Sequence, residues 1–315
     1  MEELENQLFQ ACLHGNIEIV KLLLNEKRSD ANKENKYGDT PLFCACQNGH
    51  IEVVKLLLND QRVDVNKGNR YGSTPLWIAC YGGHNEVVKL LLNDKRVDVN
   101  NPRNYCCETP FFIACCQGHV EIVKLLLNDE RVDIKKANKN DETPFLVACQ
   151  LNQMKVIKLL LDDKRVNINQ ETIYGETPLY FASCFNPSIK NVRYILASEK
   201  EVDFHAKCKN GKTAIDLARE KEKELRVCLE GLLSRDDQRP VELIFRKKML
   251  IQKNIVELLE SFEKNPNETR SILRVRLGIA GNYFFFFFFS FSFSFSFSFF
   301  FSFFSFNFIY FIFNN

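Results

Sequence analysis

The sequence predicts an all-α solenoid, a stack of short helix–turn–helix units joined by loops. The first observation behind this prediction is that the chain repeats itself: GDTPLFCACQNGHIEVVKLLLNDQRVDVN, from Gly38, returns as GSTPLWIACYGGHNEVVKLLLNDKRVDVN, from Gly72. The second is that the apolar residues of each copy recur at helical spacing. The third is that each copy starts and stops its helices with the same residues. A chain that copies one phrase is expected to stack one structural unit.

The period is set by a Thr-Pro dipeptide, which recurs every 34 or 35 residues. A degenerate copy, TAIDLA, follows at Thr213, and a partial copy without the dipeptide precedes the first. Atypical end units suit an array, because a terminal unit has only one neighbour to pack against. The array is predicted to occupy residues 1–234 in about seven units, at about 1–36, 37–70, 71–104, 105–139, 140–173, 174–209 and 210–234.

Each element of the unit has a local reason. The turn GDT or GST supplies a threonine hydroxyl that caps the next helix, and proline suits the first helical position. The first helix, PLFCACQN in one copy, is predicted to end at a left-handed glycine such as Gly49, Gly83 or Gly118. The second helix, IEVVKLLLN, places its valines and leucines on one broad apolar face. Neither helix is long enough to be stable alone, so each is expected to pack against its copies.

The motifs TP-L-x-x-A, GH, VVKLLL and DVN resemble the ankyrin repeat over about three quarters of the chain. The resemblance implies helix–turn–helix units with hairpin-like loops, and a partner-binding surface on the concave side. Two departures stand out. The family's usual unit is about one residue shorter, and the extra residue here lies in LLLNDxRVDVN. The histidine of the family's TPLH is replaced, which predicts apolar or aromatic packing at Phe43, Trp77, Phe112, Leu146 and Tyr180.

The sixth unit is predicted to be irregular. Its sequence, TPLYFASCFNPSIKNVRYIL, lacks the GH turn and contains Pro187, so a distorted or lengthened turn is expected between its helices. In the fourth unit, Cys107 occupies the place of a turn glycine, and the spacing grows to 35 residues. A local rearrangement is therefore expected there as well.

The sequence offers little catalytic chemistry. It contains no GxGxxG, GxxxxGK[ST], HExxH or GxSxG motif, so no enzymatic activity, cofactor or metal is predicted. The 12 cysteines do not form paired CxxC motifs and are expected to be free thiols. An enzyme using Cys107 and Cys116, with His119 as the base, is the alternative. Four cysteines share one buried slot and three histidines share a helix-start slot: Cys46, Cys80, Cys115, Cys149, and His50, His84, His119.

The charge composition mainly serves to exclude classes of function. The formal net charge of +2 argues against a nucleic-acid-binding surface. The repeated loops NDQR, NDKR and NDER are expected to be solvated, with local Asp–Arg pairs that contribute little. Because these loops are nearly identical from unit to unit, they are not expected to select a partner.

The resemblance implies that the varying turns and the exposed ends of the first helices contact a partner. Tyrosine, tryptophan and arginine often dominate the binding energy of interfaces. Arg70 and Tyr81 are favoured because they do not recur. Tyr37, Tyr71 and Tyr174 each precede a glycine, so a structural role in the turn is an equal alternative. The predicted partner-binding residues are Lys36, Asp39, Gln47, Asn48, Arg70, Tyr71, Ser73, Trp77, Tyr81, Tyr105, Glu108, Cys116, Gln117, Lys139, Glu142 and Gln150.

Residues 235–283 are predicted to form a helical extension of unknown family. RKKMLIQKNIVELLESFEKNP is amphipathic and ends at an Asn-Pro pair, and NETRSILRVRLG suits a second helix. A helical pair that packs on the last repeat and a partner-binding helix are both open. Three arginines of the second helix would form either a solvated face or an anion site: Arg270, Arg274 and Arg276.

Residues 284–315 form a Phe/Ser-rich, low-complexity tail, with 19 Phe and 7 Ser among the 30 residues from 284 to 313. Three interpretations are open: a translated pyrimidine tract without an evolved fold, a C-terminal membrane anchor, and a buried or assembling segment. The sequence therefore predicts a monomeric, cytoplasmic, non-enzymatic scaffold that binds a protein partner of unknown identity. A tail-anchored membrane adaptor is the alternative, with membrane contact only through 284–313.

Overall fold

The computed structural model describes residues 2–26, 30–185, 187–233 and 239–279, and all regular secondary structure in these ranges is helical. The first five units each contribute two helices. The pairs are α1 (Glu2–His14) and α2 (Ile17–Glu26), α3 (Pro41–Gln47) and α4 (Ile51–Asn59), α5 (Pro75–Gly82) and α6 (Asn85–Asn93), α7 (Pro110–Gln117) and α8 (Val120–Leu127), and α9 (Pro144–Gln150) and α10 (Met154–Asp162).

The predicted helix signals are confirmed. In each unit with the Thr-Pro dipeptide, the threonine Oγ1 accepts a hydrogen bond from the backbone N–H three residues later, and proline is the first helical residue. Gly49, Gly83 and Gly118 have φ of 70°, 78° and 75°, which favours glycine. The capping threonines are Thr40, Thr74, Thr109, Thr143 and Thr177.

The units stack side by side in two rows. The first helices α1, α3, α5, α7 and α9 pack in order along one row, and α2, α4, α6, α8 and α10 form the other. The buried side chains of successive units join into one continuous core. The cysteines of the repeated slot are buried in this core, where burial raises the pKa of the Cys80 and Cys149 thiols and keeps them protonated.

The histidines of the GH motif link neighbouring units. The ring Nε2 of His84 donates to the carbonyl oxygen of Gln47, 2.9 Å away in the preceding unit, and His50 bonds to Leu13 in the same way. In the fifth unit, where histidine is absent, the Gln153 side chain replaces it and donates to the carbonyl oxygen of Cys116 at 2.9 Å. The slot therefore ties each second helix to the end of the previous first helix.

The outer loops NDQR, NDKR and NDER were expected to hold only local, solvated Asp–Arg pairs. Their arginines also form hydrogen bonds to the preceding unit. Arg96 does pair with Asp94, at 2.6 Å between Nη2 and Oδ2. The same Nη2 also donates to the carbonyl oxygen of Leu58, 2.7 Å away near the end of α4 in the previous unit. That carbonyl belongs to the last turn of a helix, where intrahelical donors are missing. Three other arginines make equivalent bonds: Arg62, Arg131 and Arg165.

A second set of bonds runs through an asparagine that follows four of the outer loops, while Lys135 occupies this position in the fourth unit. Asn66 donates from Nδ2 to the carbonyl oxygen of Arg96 at 2.7 Å, and its Oδ1 accepts from the backbone N–H of Asp98 at 2.8 Å. The repeated polar residues of the outer face thus hold consecutive units in register. Equivalent pairs of bonds occur at Asn32, Asn100 and Asn169.

The sixth unit is irregular in its first helix, whereas the predicted irregular turn includes residue 186, which lies outside the described residues. Its first helix, α11 (Pro178–Tyr180), passes at once into a π-helical segment, Phe181–Phe185, before α12 (Ile189–Ala197). The seventh unit departs from the predicted helix–turn–helix pattern. Instead of a turn between two short helices, α13 (Ala214–Leu233) runs as one uninterrupted helix, in a sequence that lacks the GH turn.

The helical extension packs on the end of the array. α14 (Arg239–Lys264) lies along α13 and also contacts α12 and the π-helical segment, while α15 (Pro266–Arg276) packs on α12 and α14. Gln252 is fully buried in this interface, and its Nε2 donates to the carbonyl oxygens of Ser183 at 3.0 Å and Ala218 at 3.1 Å.

Two of the three arginines of α15 have acceptors in the sixth unit. Arg270 donates to the carbonyl oxygen of Leu196, and Arg274 donates to the carboxylate of Glu199. Their positions therefore tie α15 to α12. The Phe/Ser tail lies outside the described residues. Among the helices that are described, none is both long and apolar enough to cross a bilayer.

Candidate concave binding site

The turn before each first helix, called here a finger turn, is built by its own side chains. In the turn before α3, Asn35 Oδ1 accepts from the backbone N–H groups of Tyr37 at 2.7 Å and Asp39 at 3.0 Å. Neighbouring fingers are joined by backbone bonds, such as that from Arg70 N to the Tyr37 carbonyl oxygen at 3.1 Å. The tyrosine backbone is therefore structural, while the Tyr37 and Tyr71 side chains remain 52% and 51% exposed.

The second, third and fourth finger turns comprise residues 35–39, 69–73 and 103–108. A cavity of about 340 Å³, called here the concave cavity, opens between these turns and the first helices beneath them. Its floor is apolar, its walls are largely aromatic, and it contains one carboxylate and one guanidinium. It is lined by Tyr37, Asp39, Phe43, Gln47, Asn69, Tyr71, Ser73, Trp77, Ile78, Tyr81 and Arg103.

Trp77 and Ser73 belong to the floor of this cavity rather than to an exposed contact surface, which corrects the expectation for both. Trp77 is 4% exposed and Ser73 is 3% exposed. The Trp77 ring stacks on that of Tyr81, with centroids 5.6 Å apart and planes at 9°. Tyr81 is 48% exposed, so Trp77 supports an accessible tyrosine from below.

Arg103 is the cavity residue that sequence reasoning missed. Its guanidinium carbon lies 5.6 Å from the ring centroid of Tyr71 and 5.1 Å from that of Trp77. It reaches them because the fourth finger turn is one residue longer: the closing bond runs from Arg103 N to Glu108 O, whereas the equivalent bond runs from Asn69 N to Ser73 O. The 35-residue spacing and the arginine in place of asparagine were the signals available in the sequence.

The remaining predicted residues are spread along the same side. Arg70 is exposed but is not part of the cavity lining, and its Cγ lies close to Gly38 of the previous finger turn. Lys36 lies over the ring of Tyr37, at 5.0 Å. Asn48 donates from Nδ2 to the carbonyl oxygen of Cys44 at 2.9 Å, at the end of α3.

Beyond the cavity, the predicted row continues into the fourth and fifth units. Glu142 accepts a hydrogen bond from Asn138 Nδ2 at 2.6 Å. Burial raises the pKa of Glu108, against the lowering effect of Arg103. Tyr105 is 72% exposed. Gln117 and Lys139 are exposed, while Cys116 and Gln150 are half-buried.

The cysteine-rich fourth unit does not assemble an activated thiol. Burial, followed by the negative charges of Glu108 and Glu142, raises the pKa of Cys116, so its reactive thiolate is disfavoured. The ring Nε2 of His119 is bonded to the carbonyl oxygen of Tyr81 at 3.0 Å, in the structural role of its slot. Cys107 is exposed and keeps the left-handed conformation of the glycine it replaces, with φ of 59°. Among the described residues, no group of three or more potential ligands could hold a metal ion.

Comparison with protein families identifies the fold. The profile described as "Ankyrin repeats (3 copies)" matches residues 8–103 and 96–172, which together cover slightly more than half of the 315-residue chain. The chain therefore belongs to the ankyrin-repeat family. A search of curated protein sequences returned no match.

Solved structures agree on the architecture. The ankyrin repeat domain of Bcl-3, described as a unique member of the IkappaB protein family, aligns with a TM-score of 0.61 at 24% identity, over 67% of this chain and 92% of that one. The human ASB11 ankyrin repeat domain aligns with a TM-score of 0.56 at 25% identity, over 67% and 90%. Ankyrin repeats generally mediate protein–protein interaction and are typically non-enzymatic modules.

Proposed function

We propose that this chain is a non-enzymatic scaffold or adaptor, monomeric and cytoplasmic, that binds a protein partner on its concave side, centred on the concave cavity. The observation that carries the proposal is the group of exposed tyrosines around an apolar floor. Tyrosines bury a large area with few rotatable bonds and retain a polar end, which suits them to interface centres.

Rigidity supports the same proposal. The finger turns are joined by backbone bonds, and the units are held by the histidine, arginine and asparagine bonds described above. A surface fixed in this way loses little conformational freedom when a partner binds, so more of the contact energy appears as affinity. The repeated polar residues of the outer face are already engaged between units, whereas Tyr71 and Tyr81 present free ring surface beside the cavity.

The test compares two double variants. Tyr71→Ala with Tyr81→Ala removes the exposed rings of the cavity, and Lys55→Ala with Lys89→Ala removes two exposed side chains of the second-helix row. Partners captured from cytosol by the wild-type chain are identified by mass spectrometry, and their affinities are then measured directly. The tyrosine variant is expected to bind at least about tenfold more weakly, since each tenfold step is about 1.4 kcal/mol and hot spots exceed this.

Two results would contradict the proposal. The first is an unchanged affinity in the tyrosine variant. The second is an equal loss in the lysine variant. A melting temperature that falls with the affinity would instead identify the tyrosines as packing residues. The double variant Arg70→Ala with Tyr81→Ala is a useful comparison, because Arg70 is exposed outside the cavity and should add little to the loss caused by Tyr81.

A tail-anchored membrane adaptor is the second candidate. It depends wholly on residues 284–313, which are uncharged and exceed the length that spans a bilayer. A mass spectrum of the endogenous C-terminal peptide, followed by fractionation of the full chain, tests it. Recovery of the peptide together with the protein in carbonate-resistant membranes would support the anchor. A chain that stays in the soluble fraction would remove it.

A further inference from the structure

Arg103 forms no ion pair with a described residue, although it is near enough to Glu108 to oppose the rise in the pKa of that carboxyl. Its guanidinium lies over the faces of Tyr71 and Trp77, and within the described ranges its side chain makes no hydrogen bond or ion pair. The arginines of the outer loops differ, because each of them bonds both an aspartate and a backbone carbonyl oxygen. The side-chain N–H groups of Arg103, which lines the concave cavity, therefore have no acceptor among the described residues.

The geometry restricts what can approach. A guanidinium carries five N–H donors around the edge of a plane, and ring faces interact with the plane itself. The N–H groups at the edge of the Arg103 guanidinium can therefore donate hydrogen bonds to an acceptor of a ligand. A cationic ligand is disfavoured, because the faces of Tyr71 and Trp77 that could bind it are already occupied by a cation.

The surroundings favour a single negative charge next to an apolar group. The one carboxylate of the cavity lining, Asp39, already accepts from the Nδ2 atoms of Asn35 and Asn69, each at 3.0 Å. Asp39 would repel a doubly charged phosphate more strongly than a singly charged carboxylate, and Arg103 is the one guanidinium of the lining. A carboxylate matches the planar fork of arginine with two parallel bonds. Ile78 and Tyr81 line the same cavity and can contact an adjoining apolar side chain.

We infer that the concave cavity is a subsite for an aspartate or glutamate side chain of the partner, flanked by an aromatic or aliphatic residue, with Arg103 binding the carboxylate. This inference rests on the proposed function, since it names the partner chemistry of the same surface. Tyr71 and Trp77 act as positioning residues that fix the guanidinium. Tyr81 and Ile78 would contact the flanking apolar side chain.

The chain carries its own reporter for the test, because Trp77 is its single tryptophan and forms the cavity floor. The probes are two capped dipeptides, N-acetyl-phenylalanyl-glutamic acid amide and its neutral counterpart N-acetyl-phenylalanyl-glutamine amide. Each is titrated into the full chain while the fluorescence of Trp77 is followed. The glutamate probe is expected to give a saturable change in the millimolar range and to bind about tenfold more tightly than the glutamine probe.

Three variants connect the signal to Arg103. Arg103→Gln should remove the preference for glutamate, and Arg103→Lys should retain part of it, because a lysine keeps the charge and loses the fork. Lys89→Gln is the matched control: it removes an exposed positive charge from α6, outside the cavity, and should leave the preference intact. Circular dichroism checks that each variant is folded.

The inference is overturned by equal affinities for the two probes, by a preference that survives in Arg103→Gln, or by no saturable change with either probe. Its failure is distinguishable from failure of the proposed function. If Tyr71→Ala with Tyr81→Ala weakens partner binding while Arg103→Gln does not, the concave surface binds without carboxylate recognition. If neither substitution changes partner binding, the concave side is not the interface.

Discussion

Replacing Arg96 by alanine is expected to weaken the junction between the second and third units. The substitution removes the bond from Nη2 to the Leu58 carbonyl oxygen at 2.7 Å and the bonds to Asp94. It leaves a helix-terminal carbonyl and a carboxylate, whose side chain is only 16% exposed, without this partner. Such losses are costly because the remaining group stays largely desolvated.

The magnitude follows from the number of bonds and their exposure. Hydrogen bonds with a charged donor contribute roughly 1.5–3 kcal/mol when buried. The Arg96 side chain is 31% exposed, so solvent screening reduces this figure, and the Asp94 pair by itself contributes little. The expected loss is about 1–2 kcal/mol in the free energy of unfolding. For an array of this size, that corresponds to a fall of roughly 2–8 °C in the melting temperature.

Urea titration and thermal melting followed by circular dichroism measure the effect. Lys95→Ala is the control, because Lys95 is exposed in the same loop and carries the same charge. Arg96→Lys should fall between the two, since it keeps the charge and loses the planar fork. In a stack where each unit contacts only its neighbours, a weaker junction should also broaden the transition. If Arg96→Ala matches Lys95→Ala, the inter-unit bond contributes nothing and the reasoning fails.

Two further predictions concern acid and the C-terminal cap. Hydrogen bonds from the loop arginines lower the pKa of Asp94, Asp129 and Asp163 below 3.8, so the stability they contribute is fully present above about pH 4 and is lost as the pH falls through the lowered values. The urea concentration at the midpoint of unfolding should stay level from pH 7 to about pH 4 and decline below it. A decline centred above pH 5 would implicate other groups. Gln252→Ala should cost about 2–4 kcal/mol, because it opens a cavity and frees the Ser183 and Ala218 carbonyls. The control Lys253→Ala should be near neutral, and hydrogen exchange in α13 should report the difference.

The features that sequence reasoning predicted correctly are those with local causes. Thr74 caps the helix that begins one residue later, and Gly83 ends the same helix because its φ is positive. Both signals act within a single turn of the backbone, so the printed order of residues contains all the information they need. The missing GH turn and Pro187 predicted an irregular turn in the sixth unit, and the structure shows a π-helical segment, Phe181–Phe185, just before that position.

The features that were missed depend on residues far apart in sequence. The acceptor of Arg96 is Leu58, 38 residues earlier, and the pair Asp94–Arg96 gives no sign that a carbonyl will also be in reach. The continuous helix α13 was missed because the degenerate copy at Thr213 was interpreted as a full helix–turn–helix unit. The sequence after Thr213 lacks the GH turn that would divide such a unit into two helices.

Arg103 illustrates why a binding site in a repeat array is hard to read from the repeats. A residue repeated in every unit lies next to the same groups of the neighbouring unit each time. Repeated polar groups such as Arg96 and Asn66 therefore form hydrogen bonds within the stack. The longer fourth finger turn breaks that periodicity and brings an unrepeated arginine over the single tryptophan. Among the described residues, no backbone carbonyl oxygen accepts from the Arg103 side chain in the way that Leu58 accepts from Arg96. The irregular position is thus the place where hydrogen-bonding capacity is left for another molecule, which is why the test of partner chemistry begins at Arg103.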